Sequence, residues 1–274
     1  MEKFIRFAKK NPAFILFALL ALAVICVAVF APFIATHDPY EAVLADAVQA
    51  PSAEHWFGTD KMGRDLYSRV IYGARTSLTA ALALVAIIVV VGTALGIAAG
   101  YFGGAIDAVI MRIADMMISF PGMVLAIAVA GIMGASVTNA VIAIAIVSWT
   151  KYARLARSLV LKVRNRDYIA AAEVTGTRTV RILTKYMLPN VLPTVLITGA
   201  TDIGSMMLEI AGLSFLGFGA QSPTAEWGLM LNEGRAYMTS APWLMIFPGL
   251  AIFITVVVFN LLGDSLRDVL DPKN

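Results

Sequence analysis

Cysteine is all but missing. Cys26 is the only one in 274 residues, which excludes an intrachain disulfide and most thiolate metal sites. Histidine is nearly as scarce, with His37 and His55 alone, eighteen residues apart. A transition-metal site wants several ligands of suitable geometry, so the two read as ordinary loop residues and no metal ligand is assigned. No G-x-x-x-x-G-K-[ST] run is present to cradle phosphates. No Ser/His/Asp set or metalloprotease pattern stands out either, so no catalytic or cofactor-binding residue is assigned. Charged residues make up only 14% of the chain, and neither low-complexity sequence nor a clear internal repeat is found.

What is abundant is apolar sequence: 59% of residues are hydrophobic and the mean hydropathy is +0.82. A soluble domain of this length cannot hide that much apolar surface, so the bilayer is the expected solvent. A span needs about 20 apolar residues. Ala13 to Ala35 carries no charge and gives span 1. Its basic prefix (Lys3, Arg6, Lys9, Lys10) looks like the start of a signal peptide, but the apolar run is too long and lacks a clear cleavage site, so it reads as an uncleaved anchor. Thr76 to Tyr101 is span 2. Met116 to Thr150 is uncharged and too long for one helix, and Gly134-Ala-Ser-Val-Thr-Asn139 supplies a turn. Spans 3 and 4 follow at 116–134 and 139–158. Val191 to Phe215 is span 5 and Trp243 to Leu262 is span 6. The expected fold is therefore all-α, a polytopic membrane protein with six transmembrane helices. It divides into 1–35 (N-terminus and first span), an outer segment 36–75 with too few large apolar residues for a core of its own, and a core domain 76–274.

Six spans place both termini on one side. With the N-terminus inside, the inner segments hold 16 of the 21 basic residues, so both termini are expected in the cytoplasm. The basic excess is then topology, and no nucleic-acid partner is expected.

Several residues stand out within this frame. Gly92, Gly96, Gly100 and Gly104 recur every four residues and form a smooth helical stripe that admits a neighbouring backbone. Packing within the chain is favoured over contact with a second membrane subunit. Lys151, Arg154 and Arg157 share a broad face and, with Arg75, read as snorkelling toward lipid headgroups. Arg112 and Asp115 are placed to pair at i, i+3, and Pro121 in Ser119-Phe-Pro-Gly122 to kink or begin span 3. Met116-Met117 and Met206-Met207 read as space-filling. Within span 5, Asp202 and Glu209 lie nearly two turns apart with Ser205 and Met206 between them. A carboxylate in hydrocarbon faces a protein interior or a water path, so Asp202, Met206 and Glu209 are candidates to line a translocation path. A buried structural hydrogen bond is the other reading.

A polar stretch is stranded between the spans: Tyr168-Ile-Ala-Ala-Ala-Glu-Val-Thr-Gly-Thr-Arg-Thr-Val-Arg-Ile-Leu-Thr-Lys-Tyr-Met-Leu-Pro189. It reads as two short helices hinged at Gly176 and closed by Leu188-Pro189, within a loop at about 160–190. A compact helical pair of this kind is a docking element rather than a tether. It resembles the coupling loop of ATP-binding-cassette (ABC) importer permeases, whose pattern is E-A-A-x3-G-x9-I-x-L-P. Ala171, Ala172, Gly176, Leu188 and Pro189 fall in register. Ala170 stands where the pattern has Glu and Tyr186 where it has Ile, while Glu173 neighbours the pattern. His55-Trp-Phe-Gly-Thr-Asp-Lys-Met-Gly-Arg-Asp-Leu-Tyr-Ser-Arg69 resembles the second permease subunit of peptide/nickel importers. So do Leu213-Ser-Phe-Leu-Gly-Phe-Gly219, Pro248-Gly249 and Asn260-Leu-Leu-Gly-Asp-Ser-Leu-Arg-Asp-Val-Leu-Asp-Pro272. Asp202-Ile-Gly-Ser-Met-Met-Leu208 and Pro223-Thr-Ala-Glu-Trp-Gly228 look most like the nickel-type members.

The resemblance implies a permease without enzymatic activity of its own, in the bacterial or archaeal cytoplasmic membrane, embedded in lipid. It also implies partners: a homologous second permease, two ABC ATPase subunits that bind ATP and Mg, and an extracytoplasmic solute-binding protein. Ala171, Ala172, Glu173, Gly176, Leu188 and Pro189 would couple to an ATPase, and nickel, a nickel chelate or a di- or oligopeptide would be the cargo. The segment 213–235 would face outward as gate or receiving surface. An ion-driven secondary transporter is the competing class. It should show inverted repeats with broken helices, which are not found. A membrane-embedded enzyme would need a convergent catalytic set, which Asp202 and Glu209 do not make.

Overall fold

The structure, a computed structural model, describes residues 11–270. The basic prefix Lys3, Arg6, Lys9 and Lys10, and the terminal Asp271-Pro272-Lys273, lie outside them. The described residues fold into helices and loops. In chain order these are α1 (Pro12–Val29), a one-turn α2 (Ala31–Ile34), α3 (Leu66–Phe102), α4 (Gly104–Ile118), α5 (Gly122–Met133), α6 (Val137–Arg164), α7 (Asp167–Val174), α8 (Thr179–Phe215), α9 (Trp227–Gly234) and α10 (Trp243–Leu270).

The backbone of the fold is α3, whose 37 residues extend about 55 Å at 1.5 Å per residue. It starts ten residues before the expected Thr76. Asp65 caps it, its Oδ2 accepting from Ser68 N at 2.7 Å, and Gly103 ends it at φ 65. The glycine stripe then does what close packing requires. A Cβ on Gly92 would lie 2.5 Å from Trp149 O, one on Gly96 2.3 Å from Ala153 O, and one on Gly100 2.8 Å from Val160 Cβ. Residues 92, 96 and 100 thus seat α6 directly on α3, within the chain. Gly104 is not part of the stripe: it opens α4 at φ 52 with nothing within 4 Å. A second close approach, unread in the sequence, joins α8 and α10, where a Cβ on Gly204 would meet Asn260 Oδ1 at 2.3 Å and one on Gly263 would meet Thr201 Cα at 2.5 Å. Without a hydrophobic drive between helices in lipid, such small-residue contacts carry the association.

Two expectations are corrected. Span 3 is no single helix from 116 to 134: α4 and α5 meet at 95° around Ser119-Phe-Pro121, with Pro121 at the N-cap of α5. At 12 residues, about 18 Å, α5 cannot cross a hydrocarbon core of about 30 Å alone. Among the described residues α1, α3, α8 and α10 are long and apolar enough to span, and the bent pair, counted as one span, brings the number to five. The other expected span lies in α6, whose 28 residues carry Lys151, Arg154, Arg157, Lys162 and Arg164 in their second half. Second, Leu188-Pro189 ends no helix. The helix runs from Thr179 straight through to Phe215, with a π-helical turn at Leu183–Met187. A proline lacks an N–H and crowds the preceding turn, and the wider turn immediately upstream re-registers the hydrogen-bond ladder.

Of the expected outer segment 36–75, residues 66–75 belong to α3, and 36–65 is loop with one 3-10 turn, Leu44–Asp46. It is nonetheless tied down. Arg64 and Arg69 are 2% and 0% exposed. Arg64 Nε donates to Asp60 Oδ2 at 2.7 Å and Arg64 Nη2 to Glu233 Oε2 at 3.1 Å. Arg69 Nη1 donates to the carbonyls of Pro39 and Pro223, each at 3.1 Å. Phe57 stacks on Phe247 with centroids 3.8 Å apart. The His55–Arg69 motif and the 213–235 segment are therefore two halves of one buried ionic clasp. Buried charges persist only when paired and hydrogen-bonded. Beside the clasp, Glu226 caps α9 through Gly228 N and Leu229 N. Burial pushes its carboxyl above the usual range, against the hydrogen bonds that hold it.

Candidate functional site

The two ends of α3 locate two sites. Arg69, near one end, belongs to the ionic clasp. Tyr101, at the other, donates from its hydroxyl to Glu173 Oε1 at 3.2 Å. Along the helix axis these residues are about 48 Å apart, so the polar 168–189 stretch sits at the pole opposite the clasp.

That stretch is built from local rules. α7 ends in a Schellman motif: Gly176 N donates to Glu173 O and Thr177 N to Ala172 O, each at 3.0 Å, with Gly176 at φ 73. The left-handed position is why glycine stands there. Ala172 is 7% exposed and tucked inward, whereas Ala171, Glu173, Gly176 and Pro189 are exposed and Leu188 is half-buried. Val174 and Val180, flanking the hinge, are 89% and 70% exposed. Two bare valines on either side of a fixed turn make a knob with an apolar tip.

The second site is a cleft of about 460 Å³ between α3, α6, α8 and the α4–α5 break. Asp202, Ser205, Met206 and Glu209 of α8 line it, facing Lys151 and Tyr152 of α6 and Phe120 of the break. The spacing of Asp202 and Glu209 placed them on one face, and the structure brings both, with Met206, into this one cavity. Asp202 is 7% exposed. Lys151 Nζ donates to both its carboxylate oxygens at 2.8 and 2.7 Å, and Tyr152 Oη donates to Oδ2 at 2.8 Å. Glu209 is half-buried and has no hydrogen bond or ion pair among the described residues. Lys151 and Asp202 pair with each other, which leaves Glu209 as the one carboxyl lining the cleft that no cation meets among the described residues.

Lys151 and Tyr152 are the site residues that sequence reading missed. Lys151, Arg154 and Arg157 of α6 do not snorkel. Each meets a carboxylate: Lys151 meets Asp202, Arg154 Nη2 meets Asp115 Oδ1 at 2.6 Å, and Arg157 makes a bidentate fork on Asp107 at 2.5 Å per arm. Asp115 is therefore paired with Arg154 rather than with Arg112. One signal was available: three cations on a shared face and three carboxylates in neighbouring apolar segments. The histidines also moved. His37 and His55, unremarkable in sequence, lie with ring centroids 4.9 Å apart beside Asp65.

The arrangement is that of a polytopic helical membrane protein with an internal polar cleft and a rigid knob at one pole, which defines a membrane transport component. The chain belongs to the family described as binding-protein-dependent transport system inner membrane components, which it matches over residues 92–274. It is 44% identical over 265 residues to the dipeptide transport system permease protein DppC of Alkalihalophilus pseudofirmus, covering 97% of this chain and 87% of that one. To the nickel transport system permease protein NikC of Escherichia coli it is 42% identical over 260 residues, covering 95% and 92%. To the glutathione transport system permease protein GsiD of Pectobacterium atrosepticum it is 43% identical over 269 residues, covering 98% and 89%. It is thus a permease of the peptide, nickel and glutathione group of ABC importers.

Proposed function

We propose that this chain pairs with a homologous permease in the bacterial or archaeal cytoplasmic membrane and imports nickel or a nickel chelate. Both termini lie in the cytoplasm, two ABC ATPases bind ATP and Mg below, and an extracytoplasmic binding protein delivers cargo to the pole of the ionic clasp. Ala171, Ala172, Glu173 and Gly176 form the coupling knob. Its exposed Val174 and Val180 seat in an apolar recess of an ATPase. Leu188 and Pro189 belong to the shaft rather than to a second hinge.

One observation carries the mechanism: α8 is a single helix from Thr179 to Phe215. The Val180 side of the knob and Asp202 lie on the same rod, about 33 Å apart, with only the π-helical turn interrupting the regular helix between them. Closure of the ATPases on the knob therefore tilts α8, and the tilt opens or closes the cleft, as rigid-body rocking of packed helices requires. The cation reading rests on charge. Lys151 is occupied by Asp202, which leaves Glu209 to favour positive cargo, and the Met206 thioether beside it suits a soft or borderline metal.

A di- or oligopeptide is the second reading, supported by the identity to the dipeptide permease; the peptide ammonium would then meet Glu209. ATP-dependent uptake by the reconstituted complex separates the two. Accumulation of radioactive nickel, free or chelated, that dipeptide does not displace supports the first. Dipeptide uptake without nickel transport replaces it with the second.

A further inference from the structure

The sequence offers no reason to join His37, His55 and Asp65, yet the fold converges them. One donor atom from each lies within 4.8 Å of the other two. We propose that they form a divalent transition-metal site on the 36–65 segment, separate from the cleft, whose α3 lining residue Ile88 lies about 35 Å further along the helix axis.

The geometry is close to what a metal needs. In a tetrahedral site with bonds of 2.0–2.1 Å, donor atoms stand about 3.3 Å apart. His55 Nδ1 is 2.9 Å and His37 Nδ1 3.8 Å from the same Asp65 oxygen, Oδ1. The two separations bracket the target; His37 Nδ1 also lies 3.0 Å from Thr36 Oγ1, a hydrogen bond that a metal ion would replace. Asp65 is already oriented. Its Oδ2 is committed to Ser68 N as the α3 cap, which leaves Oδ1 turned to both rings. The His37 backbone is held as well, its N–H donating to Ser68 Oγ at 3.0 Å. The site is graded from inside to outside: the Asp65 side chain is 2% exposed, His55 12% and His37 38%. An ion can therefore enter from solvent, and water completes the coordination.

Two imidazoles and a carboxylate select nickel, copper and zinc over magnesium and calcium. The helix N-terminus opposes a cation weakly, and the Asp65 charge offsets it. The site is accordingly a labile one that exchanges its ion. Its position on the segment that closes over α3 and α9 makes the bound ion a second tie between that loop and the helix start.

The test needs no transport assay and stands apart from the cargo question. The full-length chain, freed of any affinity tag, is titrated in nanodiscs with Ni²⁺, Zn²⁺ and Mg²⁺ against a chromogenic chelator. One equivalent of Ni²⁺ or Zn²⁺ and none of Mg²⁺ is expected. His37→Gln and His55→Gln should each weaken binding by at least about tenfold. Added Co²⁺ should give ligand-field absorption that both variants lose. His37→Gln guards against misfolding, because that ring is exposed and the backbone bond to Ser68 survives the change. The absence of saturable Ni²⁺ and Zn²⁺ binding, or binding that persists unchanged in His37→Gln, overturns the site and leaves a hydrogen-bonded helix cap.

Discussion

Replacing Gly176 tests the coupling knob, and the structure grades the outcome. A Cβ at this position meets nothing within 4 Å, so neighbouring atoms contribute nothing to the penalty and only the backbone does. At φ 73 an L-residue is disfavoured by about 1–2 kcal/mol, which lowers the population of the correct turn by a factor of about 5–30. Gly176→Ala falls in that range. Asn tolerates the left-handed region better, so Gly176→Asn should be milder, and β-branched Gly176→Val should be worse. Gly176→Pro differs in kind. The ring fixes φ near −65° and removes the N–H that donates to Glu173 O, a combined loss of about 3 kcal/mol or more. None of these changes touches a spanning segment, so membrane insertion should be unaffected. The assay is uptake per ATP hydrolysed by the reconstituted importer. Coupling should fall in the order Gly, Asn, Ala, Val, Pro, with ATPase activity persisting as uptake fails. A Gly176→Pro variant that inserts normally and keeps the wild-type uptake ratio would refute the knob assignment.

Other expectations follow from the cleft and the packing. Glu209→Ala should lower uptake at limiting substrate by about tenfold, equivalent to about 1.4 kcal/mol, while assembly is retained on native gels; unchanged uptake would make Glu209 purely structural. Asp202→Ala strands the buried Tyr152 hydroxyl and should destabilise the chain by about 1–3 kcal/mol, whereas Asp202→Asn paired with Lys151→Met should recover most of the thermal stability. Failure of the pair to recover it would show that Lys151 and Asp202 do not act together. Gly96→Leu drives a side chain against Ala153 O, which even a bare Cβ at this position would approach to 2.3 Å, and should separate α3 from α6 with a penalty of about 1–3 kcal/mol or more. Normal detergent melting and yield for this variant would contradict the packing.

The sequence by itself determined what depends on neighbours along the chain. Apolar runs set the membrane class and the approximate helices, because hydropathy is a property of a window. Gly176 marked the hinge because a left-handed position is a local demand, and the four-residue glycine period marked the α3 face because helical pitch is fixed. The seven-residue spacing put Asp202 and Glu209 on one side of α8 for the same reason. Tertiary structure alone decided the partners. Lys151 meets Asp202 across 51 positions, Arg64 meets Glu233 across 169, and His37 and His55 meet at Asp65. No spacing rule reaches so far, since which carboxylate a buried cation finds depends on how helices pack, not on where they lie in sequence. The continuity of α8 through Pro189 was likewise hidden: a proline reads as a stop, and only the π-helical turn beside it, held between packed helices, lets the rod continue.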